Sequence, residues 1–137
     1  MITAVDTSVL LDVFGADPSF GERSREAVRG CLAQGALVAC EVVWAEVSAG
    51  FGSPAAAADA LRRLRVDFSA LDAASAAAAG NAFGAYRRAG GARERVVADF
   101  LIGAHARAHA DRLLTRDRGY YLRFFRGLSI VDPSATP

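Results

Sequence analysis

Four carboxylates in this chain stand where apolar segments give way, and together they suggest shared chemistry. Asp6 closes the run ITAV (2–5), and Asp117 sits two residues past LLT (113–115). Asp99 directly precedes the apolar FLIGA, and Glu46 lies in EVVWAEVSAG (41–50) beside Val42, Val43 and Val47. Taken singly, Asp6, Asp99 and Asp117 also suit helix N-caps, and Glu46 suits a solvated face. If the two runs are parallel strands, Asp6 and Asp117 share the carboxyl edge of the sheet, where open α/β folds place their ligands. Four acids at that edge would repel one another at neutral pH unless a cation lies among them. Hard oxygen donors of this kind suit Mg²⁺ or Mn²⁺, which bind through a few carboxylates, waters and substrate phosphate. Such a site can activate water, neutralise a phosphodiester and stabilise the leaving oxygen.

The elements that must position these acids follow from the apolar pattern. ITAV reads as a buried strand followed by a short helix to Val13 or Phe14, and Asp17-Pro18-Ser19 as a loop. Residues 22–33 read as an amphipathic helix stopped by Gly35, ALVAC (36–40) as a second strand, and 41–50 as a helix ended by Gly50 and Gly52. Pro54 starts an Ala-rich helix to Leu64, and Val66-Asp67-Phe68 is a short strand. Asp72 caps a long helix over 73–89 that ends at Gly90-Gly91, and another helix spans 98–110. LLT and LSIV supply two more strands around a helical 119–125. Strands of continuous apolar character alternating with helices imply a parallel sheet covered on both faces. The Ala blocks at 55–58 and 76–79 are helix formers.

Composition narrows the class. The 137 residues suit one domain, 1–137, with 53% apolar and 23% charged residues, a globular balance. No apolar run approaches a membrane span, and the first residues lack a signal peptide's basic start while carrying Asp6 and Asp12, so a cytoplasmic protein is expected. Cys31 and Cys40 fit no metal or redox spacing and read as buried thiols. All sixteen basic residues are Arg, and the chain has no Lys. That absence excludes receiver domains, haloacid-dehalogenase-like phosphatases and P-loop NTPases, and no GxGxxG follows a strand for a dinucleotide.

AVDTSVLLD (4–12), VVWAEVSAG (42–50), ADFLIGAHA (98–106) and LLTRDRGYY (113–121) occur in the order and approximate spacing of PIN-domain proteins. The chain most resembles the VapC-type toxin ribonucleases of bacterial type II toxin–antitoxin pairs, over essentially its whole length to GLSIVDP. The resemblance implies a PIN-like three-layer α/β/α sandwich around a parallel sheet of four to five strands. It also implies an endoribonuclease that uses Mg²⁺ or Mn²⁺ and a metal-activated water to cleave RNA, neutralised by a cognate VapB-like antitoxin, and a homodimer. By position, Asp6, Glu46, Asp99 and Asp117 match the family's acidic quartet and its metal ligands. Thr115 matches the Ser/Thr before the last Asp. Ser8 stands where many members carry Asn, and Phe100 replaces the usual Ala after the third acid, which would narrow the pocket or shift metal occupancy. The alternative is a catalytically idle PIN module that acts only by binding a partner.

The remaining polar residues have simpler readings. His105 and His109 are one helical turn apart, which permits a zinc pair, but at about 100° per residue both project away from Asp99. The Arg clusters at 62–65, 87–95 and 116–126 read as solvated helix faces. Arg116 and Arg118 flank a candidate metal acid and are therefore also candidates for holding RNA phosphates.

Overall fold

A computed structural model of the protein describes residues 1–92 and 97–134. Five strands form one parallel sheet in the order β3-β2-β1-β4-β5. They are β1 (Ile2–Val5), β2 (Ala36–Ala39), β3 (Val66–Phe68), β4 (Arg112–Leu114) and β5 (Ile130–Val131). Ala4 of the central β1 is paired with Val38 of β2 on one side and with Leu113 of β4 on the other. Thr3, Ala4 and Val5 are buried in succession, as are Leu113 and Leu114. Side chains alternate between faces along a strand, so consecutive burial means helices cover both faces. The result is the three-layer α/β/α arrangement expected from the sequence, with five strands.

The connecting helices are α1 (Thr7–Phe14), α2 (Gly21–Gln34), α3 (Glu41–Ser48), α4 (Pro54–Arg63), α5 (Ala73–Arg88), α6 (Val97–His109) and α7 (Arg118–Phe124). Local chemistry sets several of their starts. Ser53 accepts a hydrogen bond from the Ala56 amide at 3.1 Å, with Pro54 in the first turn, and Asp72 accepts from the Ser75 amide at 2.7 Å. Cys40, expected as a strand residue, is instead the N-cap of α3, because its carbonyl already accepts the Trp44 amide. Asp17 accepts from the Ser19 and Phe20 amides, which folds the loop before α2.

One change from expectation concerns Phe100. Its side chain is fully buried, with its ring near those of Phe83, Tyr86, Tyr120, Phe124 and Phe125. It fills the core between α5, α6 and α7 and does not narrow the acidic pocket. An apolar ring on the inner face of α6 gains far more from this cluster than from an anionic surface. Gly103, one turn further along α6, is what lets Phe125, just past the end of α7, approach. A Cβ there would meet the Phe125 ring at 2.3 Å.

Candidate active site

In the order 3-2-1-4-5, the chain adds strands outward on one side of β1 and then crosses to the other, so the topology reverses between β1 and β4. Crevices form beyond the carboxyl ends of strands at such a point. Asp6 follows β1, and Thr115-Arg116-Asp117 link β4 to α7. A cleft of about 520 Å³ opens there, and Asp6, Glu46, Asp99 and Asp117 all line it. Four separate stretches of chain bring them in: the β1–α1 junction, α3, the first turn of α6 and the β4–α7 link. Thr7, Ser8 and Leu11 supply the wall along α1.

The capping explanation holds for one acid. Asp6 is the N-cap of α1, and its Oδ1 accepts the Thr7 amide at 2.8 Å. Its other oxygen is still within the cleft's polar network, so the cap and a ligand role are compatible. Asp117 occupies the N-cap position of α7 without a side-chain capping hydrogen bond. Asp99 lies inside the first turn of α6 rather than ahead of it. Glu46 is exposed, and its Oε1 accepts a hydrogen bond from the Thr7 hydroxyl at 2.7 Å.

Thr115 organises the floor. It is fully buried, and its hydroxyl donates to Asp6 Oδ2 at 2.7 Å while accepting the Asp117 amide at 3.0 Å. The Asp6 amide in turn donates to the Leu114 carbonyl at 2.9 Å, which ties the ends of β1 and β4 together. Burial pushes the Asp6 carboxyl above its ordinary range. Hydrogen bonds from Thr115 and Thr7 pull it back, and the negative charge of Asp99 pushes it up again. Beneath it, Tyr121 is buried with its hydroxyl outside hydrogen-bond geometry, yet near enough to Asp6 to lower that carboxyl slightly. Burial, then Asp6 and Asp99, hold the Tyr121 phenol well above its usual value, so it stays protonated.

The donor set is entirely hard oxygen, and the raised Asp6 shows that negative charge is costly there. A divalent cation would relieve both the burial and the Asp99 repulsion. Among the described residues, however, no three His, Cys, Asp or Glu side chains stand close enough together to hold a metal ion by themselves. The fit is that of a water-rich Mg²⁺ or Mn²⁺ site with few protein ligands, rather than a closed cage. The histidine pair fits no zinc. His105 Nε2 lies 2.9 Å from the Ser69 hydroxyl, and His109 Nε2 lies 3.2 Å from Asp72.

Sequence reasoning passed over two parts of this site. One is Thr7, next to Asp6, which holds Glu46. The other is the buried Asp12, whose carboxylate accepts from Arg116 and from Ser24. An acid inside the apolar helix TSVLLDVF was the available signal, since a buried carboxylate needs partners. Arg116 thus lines the cleft while its guanidinium is engaged behind it, and Arg118 is exposed at the start of α7. Of the basic cluster at 87–95, Arg93 and Arg95 fall outside the described residues.

A family model for the PIN domain matches residues 3–123. The chain belongs to the PIN-domain family. Solved structures show the same fold for this PIN domain over nearly its full length. It is similar to VapBC2 from Rickettsia felis bound to a DNA fragment from their promoter, with a TM-score of 0.74, 16% identity and coverage of 96% of this chain and 98% of that one. It is similar to VapBC-1 from nontypeable Haemophilus influenzae at 0.73 and 18%, covering 98% of this chain and 100% of the other. DNA-bound VapBC from Salmonella typhimurium gives 0.71 and 17%, with 97% and 98% covered. No curated protein sequence matches this PIN domain. Among the described residues, no helix is long and apolar enough to cross a membrane.

Proposed function

We propose that this PIN domain is a VapC-type toxin, a metal-dependent endoribonuclease that hydrolyses RNA phosphodiester bonds in the cytoplasm and is neutralised by a cognate VapB-like antitoxin. The observation that carries the reading is the convergence of Asp6, Glu46, Asp99 and Asp117 on one cleft from four stretches of chain. The VapBC complexes among its structural neighbours favour the antitoxin partner. Asp6, Asp99 and Asp117, with Glu46, are the residues that would hold Mg²⁺ or Mn²⁺. When bound, the cation supplies charge to neutralise the phosphodiester and acidifies an attacking water.

The protein's own groups have separable tasks. Thr115 orients Asp6 and Asp117, and Thr7 orients Glu46 toward the cleft. On this reading Ser8, on the α1 wall of the cleft, would bond substrate or water, and Arg118, exposed at the start of α7, would contact an RNA phosphate. The decisive experiment is cleavage of total RNA with added Mg²⁺ or Mn²⁺, with Asp6→Asn as the control. Cleavage that needs metal and disappears in the variant supports the reading.

A second reading has its own observation. The solved structures this PIN domain resembles include VapBC complexes, and an idle PIN module that works by binding a partner alone fits the same fold. That module would bind its antitoxin yet leave RNA intact at any metal concentration.

A further inference from the structure

The link between β4 and α7 is three residues long, and each residue makes a different attachment. Thr115 donates to Asp6, the N-cap of α1, at 2.7 Å. Asp117 lines the cleft. Between them, Arg116 turns to the other end of α1. Its Nε donates to Asp12 Oδ2 at 2.8 Å and one Nη to Asp12 Oδ1 at 3.2 Å. The Ser24 hydroxyl on α2 donates to the same Asp12 Oδ2 at 2.8 Å. The guanidinium also lies over the Phe20 ring, 4.1 Å from its centroid. Only 5% of the Asp12 side chain is exposed, against 29% for Arg116.

We propose that Arg116 is a positioning residue, a latch whose fork on Asp12 holds the β4–α7 link so that Thr115 and Asp117 keep their places at the acidic cleft. The proposal rests on the ribonuclease reading for its effect on rate, but not for its effect on structure. A planar fork that engages both carboxylate oxygens while stacked on a ring fixes orientation as well as distance. Thr115 anchors one end of the link to the start of α1, and Arg116 anchors its middle to the helix interior. Residues 115–117 therefore cannot rotate without breaking one tie. A Lys has a single charged point and no plane, so it would keep the charge and lose the orientation. An RNA-phosphate contact would behave in the opposite way, since Lys serves phosphate well and the loss would appear in binding.

The test compares Arg116→Lys and Arg116→Ala with the wild type in the full-length protein. Three readouts are taken: steady-state RNA cleavage with Mg²⁺, its salt dependence, and hydrogen exchange at the Asp117 amide. A latch predicts that both variants lose about tenfold or more in kcat. KM should stay within about twofold and the salt slope should not change. The Asp117 amide, which donates to the Thr115 hydroxyl, should exchange faster while the amides of β1 and β2 keep their protection. Raised KM with intact kcat, a flatter salt slope and rescue by Lys would overturn the latch in favour of a phosphate contact. Wild-type kcat with unchanged Asp117 exchange would overturn it in favour of a surface pair. If the wild type cleaves no RNA, the ribonuclease reading fails, and the exchange result alone decides the latch. If Arg116→Ala does not fold, Arg116→Lys and Phe20→Leu are judged by the same exchange measurement.

Discussion

The Thr115 hydroxyl stands between two candidate ligands, donating to Asp6 Oδ2 at 2.7 Å and accepting the Asp117 amide at 3.0 Å. Thr115→Val keeps the shape and removes both bonds inside a fully buried site. Orphaning the buried partners should cost about 1–3 kcal/mol, measured by urea unfolding, and should abolish most RNA cleavage. Thr115→Ser should restore both. A Val variant with wild-type stability and activity would remove Thr115 from the site.

Repulsion among the acids gives a second expectation. Asp99→Asn and Asp117→Asn should leave the metal-free protein as stable as the wild type or more so. They should also reduce the thermal stabilisation given by Mn²⁺, which for an intact site reaches about 2.7 kcal/mol at a hundredfold excess over Kd. Differential scanning calorimetry with and without Mn²⁺ reads both effects. A large loss of stability in the metal-free variants would mark the two acids as structural instead.

Stability should fall on mild acidification through His105. Burial, and then the nearby His109, hold this imidazole below its ordinary value of 6.5, and Ser69 shares its Nε2. The unfolded chain therefore binds a proton that the folded protein resists. The stability is fully present above the ordinary imidazole value and is lost as pH falls below it toward the depressed folded value. Thermal unfolding between pH 7.5 and 5.5 should show the decline, and His105→Asn should flatten it. A slope unchanged in that variant would assign the effect elsewhere.

Phe100 is expected to matter for the core rather than the cleft. Phe100→Ala should cost about 3–5 kcal/mol in chemical unfolding because its cavity is walled by five other rings that cannot all collapse inward. Phe100→Leu should cost less and leave metal affinity unchanged. A large change in Mn²⁺ affinity in the Leu variant would restore a role at the pocket.

Association is the remaining expectation. We infer a two-fold homodimer formed through the Ala-rich helices, since α5 exposes Ala74, Ala76, Ala77 and Ala78. Light scattering at tens of micromolar, roughly the range in which weak interfaces assemble, should give twice the mass of 14.4 kDa. A monomer there would count against it.

Much of the scaffold was legible because two periodicities carry it. The apolar runs ITAV and LLT read as buried strands, which the structure shows at Ile2–Val5 and Arg112–Leu114, and Asp72, Pro54 and Gly35 punctuate the helices by local chemistry. The acids were legible as positions relative to those elements. What the linear pattern could not carry was orientation. Nothing near Phe100 in the chain says that its ring faces Tyr120 and Phe124 rather than Asp99. Nor does anything near Arg116 say that its fork reaches a carboxylate 104 positions earlier. Both are decided by tertiary neighbours. Asp12 was the exception, since its apolar context asked for a partner without naming one.

The separation between Asp6 and Thr115 has a consequence for biosynthesis. The two hydrogen-bonded residues lie 109 positions apart, and β1 is flanked on one side by a strand made long after it. During translation, β1, β2 and β3 can pair as they emerge, while the slot that β4 will fill stays open. Asp6 and Glu46 have then been made, but Asp117 and the Thr115 that bonds Asp6 have not. A nascent chain of this protein thus carries half a cleft for most of its synthesis, and on the ribonuclease reading the ribosome making it meets a complete site only after β4 docks.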